Sequence, residues 1–243
     1  MKNYLYLLIG ACLFICLNAC DDGRLYEEEI PISTEGRTVH MKARLTGIKT
    51  WPQSSFYVAI AGFNNDSDYA LISKTVPAPS VEGGEVTISL SGIKEEVTSV
   101  ELCVISRLRQ RVLSYYTISS AELATGNEIN VDAGTLNVGM FPTIQERVFN
   151  TTCVNCHGAA TSAAAGLYLT EGRSHAAMVG VPSKKIDGMN IVEPGKANES
   201  VLYQALATDI SIEKSWRYNH TAEVVNDDML ALIRTWINQG AEE

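Results

Sequence analysis

Basic residues are scarce in this chain of 243 residues. It has 19 Lys and Arg against 28 Asp and Glu, which gives a formal net charge of −9 at pH 7. Binding to nucleic acid phosphates calls for a basic surface, so the composition argues against nucleic acid as a partner. An acidic surface keeps a protein soluble, and it is also compatible with docking onto a basic patch of another protein.

The start of the chain lacks an apolar run long enough to cross a bilayer comfortably. The run from Tyr4 to Leu17 follows the basic start Met1-Lys2 and is 14 residues long, whereas a membrane-spanning helix needs about 20. Such a run is typical of a signal peptide, and the small Ala19 suits its cleavage site. We therefore predict a signal peptide over residues 1–19.

The segment Leu17-Asn18-Ala19-Cys20 resembles the lipobox of bacterial lipoproteins. The resemblance implies cleavage before Cys20 and lipidation of that residue, and several acyl chains on one residue anchor a protein stably. The acidic pair that follows resembles surface-sorting signals of lipoproteins in the Bacteroidetes, whereas in enteric bacteria an Asp there favours inner-membrane retention. We expect a lipid-anchored protein at the outer membrane or cell surface, facing the periplasm or the exterior.

Few cysteines lie beyond Cys20, and only two of them are close together in the sequence. Cys103, Cys153 and Cys156 remain, together with the four histidines of the chain. A structural zinc site needs four nitrogen or sulfur ligands, and a thioredoxin-type redox pair needs a βαβ context that the sequence does not show. Cys103 falls inside an apolar segment, where a free thiol behaves as a small hydrophobic residue.

The pentapeptide Cys153-Val154-Asn155-Cys156-His157 is the attachment pattern of c-type haem. Two thiols three positions apart can both reach the vinyl carbons on one edge of a porphyrin, and the imidazole that follows can bind the iron. A disulfide within the pair, or half of a zinc site, is the alternative interpretation. The pattern predicts one covalently held haem c, with electron transfer as the leading function.

The residue pattern changes along the chain near residue 140. Residues 20–36 are polar and acidic and are expected to form a flexible tether. Residues 37–138 contain seven strand-like segments at a spacing of roughly 8–15 residues, which indicates an immunoglobulin-like β-sandwich. Among them, apolar and polar residues alternate over 39–45, and Val100 to Ile105 has the pattern of a buried central strand. Residues 141–243 show helical spacing, clearest over 229–237. We therefore predict two domains, an all-β sandwich over 37–138 and a helical domain over 141–243.

The second of these regions resembles the planctomycete-type cytochrome c domain. The resemblance implies a small all-α cytochrome c fold with one covalent haem, in which Cys153 and Cys156 form the thioethers and His157 is the proximal ligand. It covers about residues 141–243 and is carried by Val148-Phe149, Cys153-Val154-Asn155-Cys156-His157-Gly158, Gly166-Leu167-Tyr168-Leu169, Met178-Val179-Gly180, Val192-Glu193-Pro194-Gly195, Ser200-Val201-Leu202-Tyr203 and Leu232-Ile233-Arg234-Thr235-Trp236-Ile237-Asn238-Gln239-Gly240-Ala241.

The chain departs from this family at the position of the second iron ligand. Members usually carry Arg-Met-Pro shortly before the last helix, and that Met is the distal ligand. An alignment without gaps places Arg217 and Tyr218 there, and His220 lies two positions further. We predict His220 as the sixth ligand, with a water-facing loop residue as the alternative reading. Met229 and Met189 are the secondary candidates.

These observations lead to one principal function and two alternatives. The principal expectation is a lipid-anchored, monohaem c-type cytochrome that carries single electrons between redox partner proteins; the sequence favours an electron carrier over an enzyme and leaves that choice open. The first alternative is a surface binding or adhesion lipoprotein with an accessory haem domain. The second is a haem peroxidase or gas sensor with an open iron position, which the missing family methionine would leave available.

Overall fold

The computed structural model describes residues 36–52, 55–158, 161–223 and 227–243. The predicted signal peptide, the predicted lipidation site Cys20 and nearly all of the predicted tether therefore lie outside the described residues. Within the described ranges, no helix combines the length and the apolar character needed to cross a membrane.

Seven strands form two sheets in the first part of the chain. One sheet has the strand order β4-β1-β7, in which β1 and β7 are parallel, and the other has the order β3-β2-β5-β6. The remaining neighbouring pairs are antiparallel. The strands are β1 (Arg37–Thr46), β2 (Phe56–Asn64), β3 (Ser67–Thr75), β4 (Glu85–Ile93), β5 (Ser99–Ser106), β6 (Arg111–Ile118) and β7 (Glu128–Asn137).

The alternation of side chains along these strands explains which faces are buried. In β1, Val39, Met41, Ala43 and Leu45 are completely buried, and the residues between them point the other way because successive side chains of a strand alternate. In β5 and β2 both faces are buried, and the residues there are apolar apart from Glu101, which pairs with Arg111. Their second face carries a smaller buried cluster that includes the free thiol of Cys103.

Helices dominate only after β7, and most of them are short. The longest α-helix, α6, has 12 residues. A π-helical segment, Gln145–Cys153, joins α2 to α3. Single 3-10 turns lie at Ile48–Thr50, Ala164–Gly166, Ala197–Glu199 and Thr221–Glu223, and the α-helices are α1 (Ser120–Leu123), α2 (Met140–Ile144), α3 (Val154–His157), α4 (Ser174–Met178), α5 (Val201–Ala207) and α6 (Asp227–Asn238).

The prediction of two domains with an all-α C-terminal fold is wrong. The protein contains more strand than helix, and its C-terminal half holds short helices, loops and two isolated β-bridges instead of an all-α domain. Glycines explain much of this difference, because five of them adopt the left-handed backbone conformation that interrupts a helix. They are Gly166, Gly172, Gly180, Gly188 and Gly195.

One hydrophobic core runs from the two sheets into the C-terminal half. Buried strand residues belong to the same cluster as Phe141, Ile144, Phe149 and Trp236, and residues Glu35–Glu243 form one compact unit. The buried residues of the helices and those of the two sheets therefore belong to one continuous cluster. This arrangement gives the C-terminal half no separate core.

Hydrogen bonds fix the start of the helical region to the sandwich. The indole N–H of Trp51 donates to the carbonyl oxygen of Val138. The hydroxyl of Tyr115 lies 2.7 Å from that of Thr143. The guanidinium of Arg147 donates to the carbonyl oxygen of Ser114 at 2.7 Å. The helix that leads to the Cys-x-x-Cys-His pentapeptide is therefore anchored on strand β6 and on the end of β7.

Candidate haem-binding site

The pentapeptide lies at the end of a continuous helical stretch. The π-helical segment buries Val148 and Phe149 in the common core, and α3 follows it directly. Residues three positions apart on a helix lie on one side of it, so the side chains of Cys153 and Cys156 lie close together. A π-helical segment is rare in proteins and is found mostly at functional sites.

The two cysteines are not joined to each other, so the structure does not contain the disulfide that was the alternative interpretation. Cys153 is half-buried, and Cys156 is exposed. Burial raises the pKa of the Cys153 thiol, against a smaller opposing effect of the hydrogen bond with Thr152. The two sulfur atoms are therefore available for covalent attachment of a group that reaches this side of the helix.

The ring of His157 is held by a backbone carbonyl. Its Nδ1 lies 3.1 Å from the carbonyl oxygen of Ala164. Because a carbonyl oxygen only accepts, Nδ1 carries a hydrogen, and Nε2 is the nitrogen of this ring that could bind a metal. The N–H of Leu169 also donates to the carbonyl oxygen of His157 at 2.9 Å. This is the usual arrangement of a metal-binding histidine, in which one nitrogen is oriented by a hydrogen bond and the other is the ligand.

Gly158 directly follows α3, at a position where a side chain would not fit. A Cβ atom at this position would collide with the carbonyl oxygen of Val154 and would lie 2.9 Å from the Cβ of the same residue. Contacts this close do not occur between real side chains without displacement of the backbone. Only a glycine therefore fits directly after His157 without a shift of the backbone.

The ring of His220 faces the ring of His157. The two ring centres are 6.3 Å apart, and the ring planes are inclined by 34°. Two aromatic rings stand edge-on to His220: the Trp216 ring is centred 5.6 Å away and the Tyr218 ring 5.2 Å away. Trp216 and Tyr218 therefore restrict the orientation of His220, while Tyr218 also remains half exposed to solvent.

The separation of the two histidine rings is compatible with both rings binding one metal ion placed between them. Imidazole nitrogens bind a divalent metal at about 2.0–2.1 Å, and the ring centre lies roughly 1.2 Å further, so opposed ligand rings are centred about 6.4 Å apart. The observed distance is 6.3 Å. The two histidines, together with the unpaired thiols of Cys153 and Cys156, form a donor set that suits haem c.

The electrostatic surroundings favour neutral His220. Burial lowers its pKa, the nearby His157 lowers it further, and Glu223 and the Tyr218 backbone oppose these effects. Its Nδ1 is buried and has no hydrogen-bond partner among the described residues. Metal binding requires the neutral imidazole, and the lowered pKa of His220 is a shift in that direction.

Glu223 joins the loop of His220 to the helix of the pentapeptide. Its carboxylate accepts a hydrogen bond from the hydroxyl of Tyr218. This bond, and a further one from Thr152, lower the pKa of Glu223. Because Thr152 directly precedes Cys153, this network fixes the segment that carries His220 against the helix end that carries the thiols.

The other candidate ligands occupy different places. Met229 is buried in the common core on α6. Met189 lies in a loop, where its carbonyl oxygen accepts a hydrogen bond from the N–H of Ser183. His175 has a structural role, because its Nε2 is 2.7 Å from the carbonyl oxygen of Ala241. The imidazole that the structure brings to His157 is that of His220.

A cavity of about 310 Å³ lies beside the helix, between strand β6 and the π-helical segment. Its lining includes Arg147, Thr151, Glu223 and Met229 but none of the three residues of the haem pattern. It therefore lies beside the candidate site and is not part of it. Within the described ranges, no three His, Cys, Asp or Glu side chains come together as an ion site; a haem iron takes only axial ligands from the protein.

Comparison of the chain with family models, with curated proteins and with solved structures finds no match.

Several residues of the site were not identified from the sequence. Trp216, Glu223 and the loop carbonyl of Ala164 contact the two histidines or their neighbours, and the alignment noted Tyr218 only as a replacement for the family methionine. The closely spaced aromatic residues before His220 are a signal that could have indicated an aromatic enclosure. No sequence pattern predicts the contact of Glu223, because it depends on how two distant loops meet.

Proposed function

We propose that this protein is an extracytoplasmic, lipid-anchored, monohaem c-type cytochrome that transfers single electrons. The observation that carries the proposal is the 6.3 Å approach of the His157 and His220 rings, beside the two unpaired thiols of the haem-attachment pattern. The two histidines are far apart in the sequence, so their approach supports the motif independently of its spacing.

In this proposal each residue has a defined role. Cys153 and Cys156 hold the porphyrin through thioethers, His157 is the proximal ligand and His220 the distal one. The haem supplies an iron atom that cycles between the ferric and ferrous states, while the protein binds it, orients it and sets its potential. Trp216 and Tyr218 limit the access of water to the distal ligand.

The ligand pair predicts the redox properties. A thioether ligand raises the reduction potential relative to a second imidazole. We therefore expect a lower potential than in cytochromes of the same class that have a histidine and a methionine as ligands. An iron with two protein ligands has no open position, which favours electron transfer over peroxidase activity or gas sensing.

The proposed partners are redox proteins outside the cytoplasm. Removal of residues 1–19 would leave 18 basic and 28 acidic residues, a net charge of −10. Such a charge supports docking onto a basic surface, with an association rate that falls as salt increases. Lipidation at Cys20 would hold the protein at the membrane where these partners are found.

The test is expression of the full chain in a host with cytochrome maturation machinery. A haem-stained denaturing gel and the mass of the mature protein should report one covalent haem, the lipid and the cleavage point. The reduced absorption spectrum should be low-spin. A colourless, exported protein whose Cys153 and Cys156 are both open to alkylation would refute the proposal.

Variants assign the distal ligand. His220→Ala should give a high-spin spectrum and should bind carbon monoxide, whereas the wild type should not. His40→Ala is the matched control, because His40 lies on strand β1 and pairs with Ser89 and Glu128; its spectrum should match that of the wild type. An unchanged low-spin spectrum in His220→Ala would exclude His220 as a ligand and leave the thioether attachment standing.

A further inference from the structure

Gln145 is a buried polar residue at the centre of a hydrogen-bond network behind the proximal histidine. It is 4% exposed. Its Nε2 donates to the carbonyl oxygen of Leu169 at 2.9 Å and to Oδ1 of Asn150 at 2.7 Å, and its Oε1 accepts from the hydroxyl of Ser174. A buried amide is costly unless its donors and acceptor are bonded, so these partners hold Gln145 in one orientation.

The peptide of Leu169 connects this network to His157. The carbonyl oxygen of Leu169 accepts the hydrogen bond from Gln145. The backbone N–H of Leu169 donates to the carbonyl oxygen of His157 at 2.9 Å. At the other end of the same loop, the Ala164 carbonyl accepts from Nδ1 of His157 at 3.1 Å. The loop thus touches the proximal histidine at two points, and Gln145 anchors one end of it.

The loop over 164–169 contains an unfavourable backbone conformation, which contacts with the rest of the protein must stabilise. Ala165 has a φ of +54°, a left-handed conformation that is uncommon for any residue with a side chain. Such conformations persist when the surrounding contacts hold them. The hydrogen bond from Gln145 to Leu169 is the buried contact that ties this loop to the helix preceding the pentapeptide.

We propose that Gln145 is a positioning residue for the proximal ligand. By anchoring the loop over 164–169, it keeps the Ala164 carbonyl on Nδ1 and so sets the tautomer and the basicity of the His157 imidazole. A hydrogen bond at the second nitrogen makes a ligand histidine more basic, which favours ferric iron and lowers the potential. The redox part rests on the proposed haem function, whereas the effect on the tautomer does not require haem.

The test compares Gln145→Leu and Gln145→Met with the control Gln204→Leu. Gln204 donates to the carbonyl oxygen of Asn198 at 2.8 Å in the same half of the chain, so the control also removes one amide-to-carbonyl hydrogen bond. The first readout is the nitrogen-15 NMR signature of the His157 ring in the full chain without haem. The wild type and the control should show the Nδ1–H tautomer, and both Gln145 variants should show a mixture.

The second readout is the reduction potential of the haem-loaded proteins. Both Gln145 variants should have a higher potential than the wild type and the control; a tenfold loss of preference for ferric iron corresponds to about 59 mV. Gln145→Met keeps the length of the side chain and has no hydrogen-bond donor, so it carries the test if Gln145→Leu does not fold.

The outcomes separate the two proposals. An unchanged tautomer in a folded Gln145 variant overturns the positioning role, whether or not haem is attached. A changed tautomer in a chain that never acquires haem supports the positioning role and refutes the proposed function. A changed tautomer together with a raised potential supports both.

Discussion

Truncation of Phe141 should unfold the sandwich and the helical region together. Phe141 is 6% exposed, is stacked on Trp236 with ring centres 5.0 Å apart, and meets His175 and Phe149 edge-on at 5.1 and 6.4 Å. Removal of a buried phenylalanine side chain costs about 3–5 kcal/mol. In a unit of this size each kcal/mol lowers Tm by about 2–4 °C, so Phe141→Ala should lower Tm by about 6–20 °C.

The assay is scanning calorimetry, with circular dichroism in the far ultraviolet as a probe of the sheets and tryptophan fluorescence as a probe of the tertiary contacts. A single transition should shift by the same amount in all three measurements. Tyr69→Ala is the control, because Tyr69 is 50% exposed and an exposed truncation changes stability by no more than about 0.5 kcal/mol. Two transitions, of which only one moves, would show that the sheets are stable without the helical region and would refute the reasoning.

Three further predictions concern the site and the cysteines. His220→Met should raise the reduction potential of the haem-loaded protein, because a thioether replaces an imidazole on the iron; a redox titration measures the shift. In the chain without haem, the exposed Cys156 should react readily with iodoacetamide at pH 8. Cys103 should not react until the protein unfolds, because burial shields its thiol and raises its pKa far above the ordinary value. Peptide mass spectrometry distinguishes the two alkylated cysteines. Gly158→Ala should lower the urea midpoint because its Cβ would collide with backbone, whereas Gly126→Ala, with only one atom near the added carbon, at 3.9 Å, should leave it unchanged.

The strand region shows how far local pattern reaches. The alternation over 39–45 predicted a strand with one buried face, and β1 has that form. The continuous apolar run of β5 predicted a buried central strand, and β5 lies between β2 and β6 with both faces covered. These features are predictable because successive side chains of a strand point to opposite faces, so the order of apolar and polar residues shows which face is buried.

The helical half shows where local pattern fails. Helical spacing over 229–237 does correspond to α6, but such spacing does not say whether the apolar side packs on another helix or on a sheet. Here much of it packs in the core that it shares with the sandwich. The glycines with left-handed backbone conformation then divide the remaining chain into loops and short turns, so helical signals did not add up to an all-α domain.

Sequence alone determined the chemistry that this chain carries: two thiols and an imidazole at the spacing of haem attachment, strands with a period of two, and one amphipathic last helix. Each of these is local, because it depends on residues within two or three turns of each other. Only the tertiary structure decided that His220 faces His157, that Gln145 donates a hydrogen bond to the carbonyl of Leu169, and that sheets and helices share one core. Those contacts join segments that are distant in the chain, and their geometry is set by loops and by the packing of the whole unit.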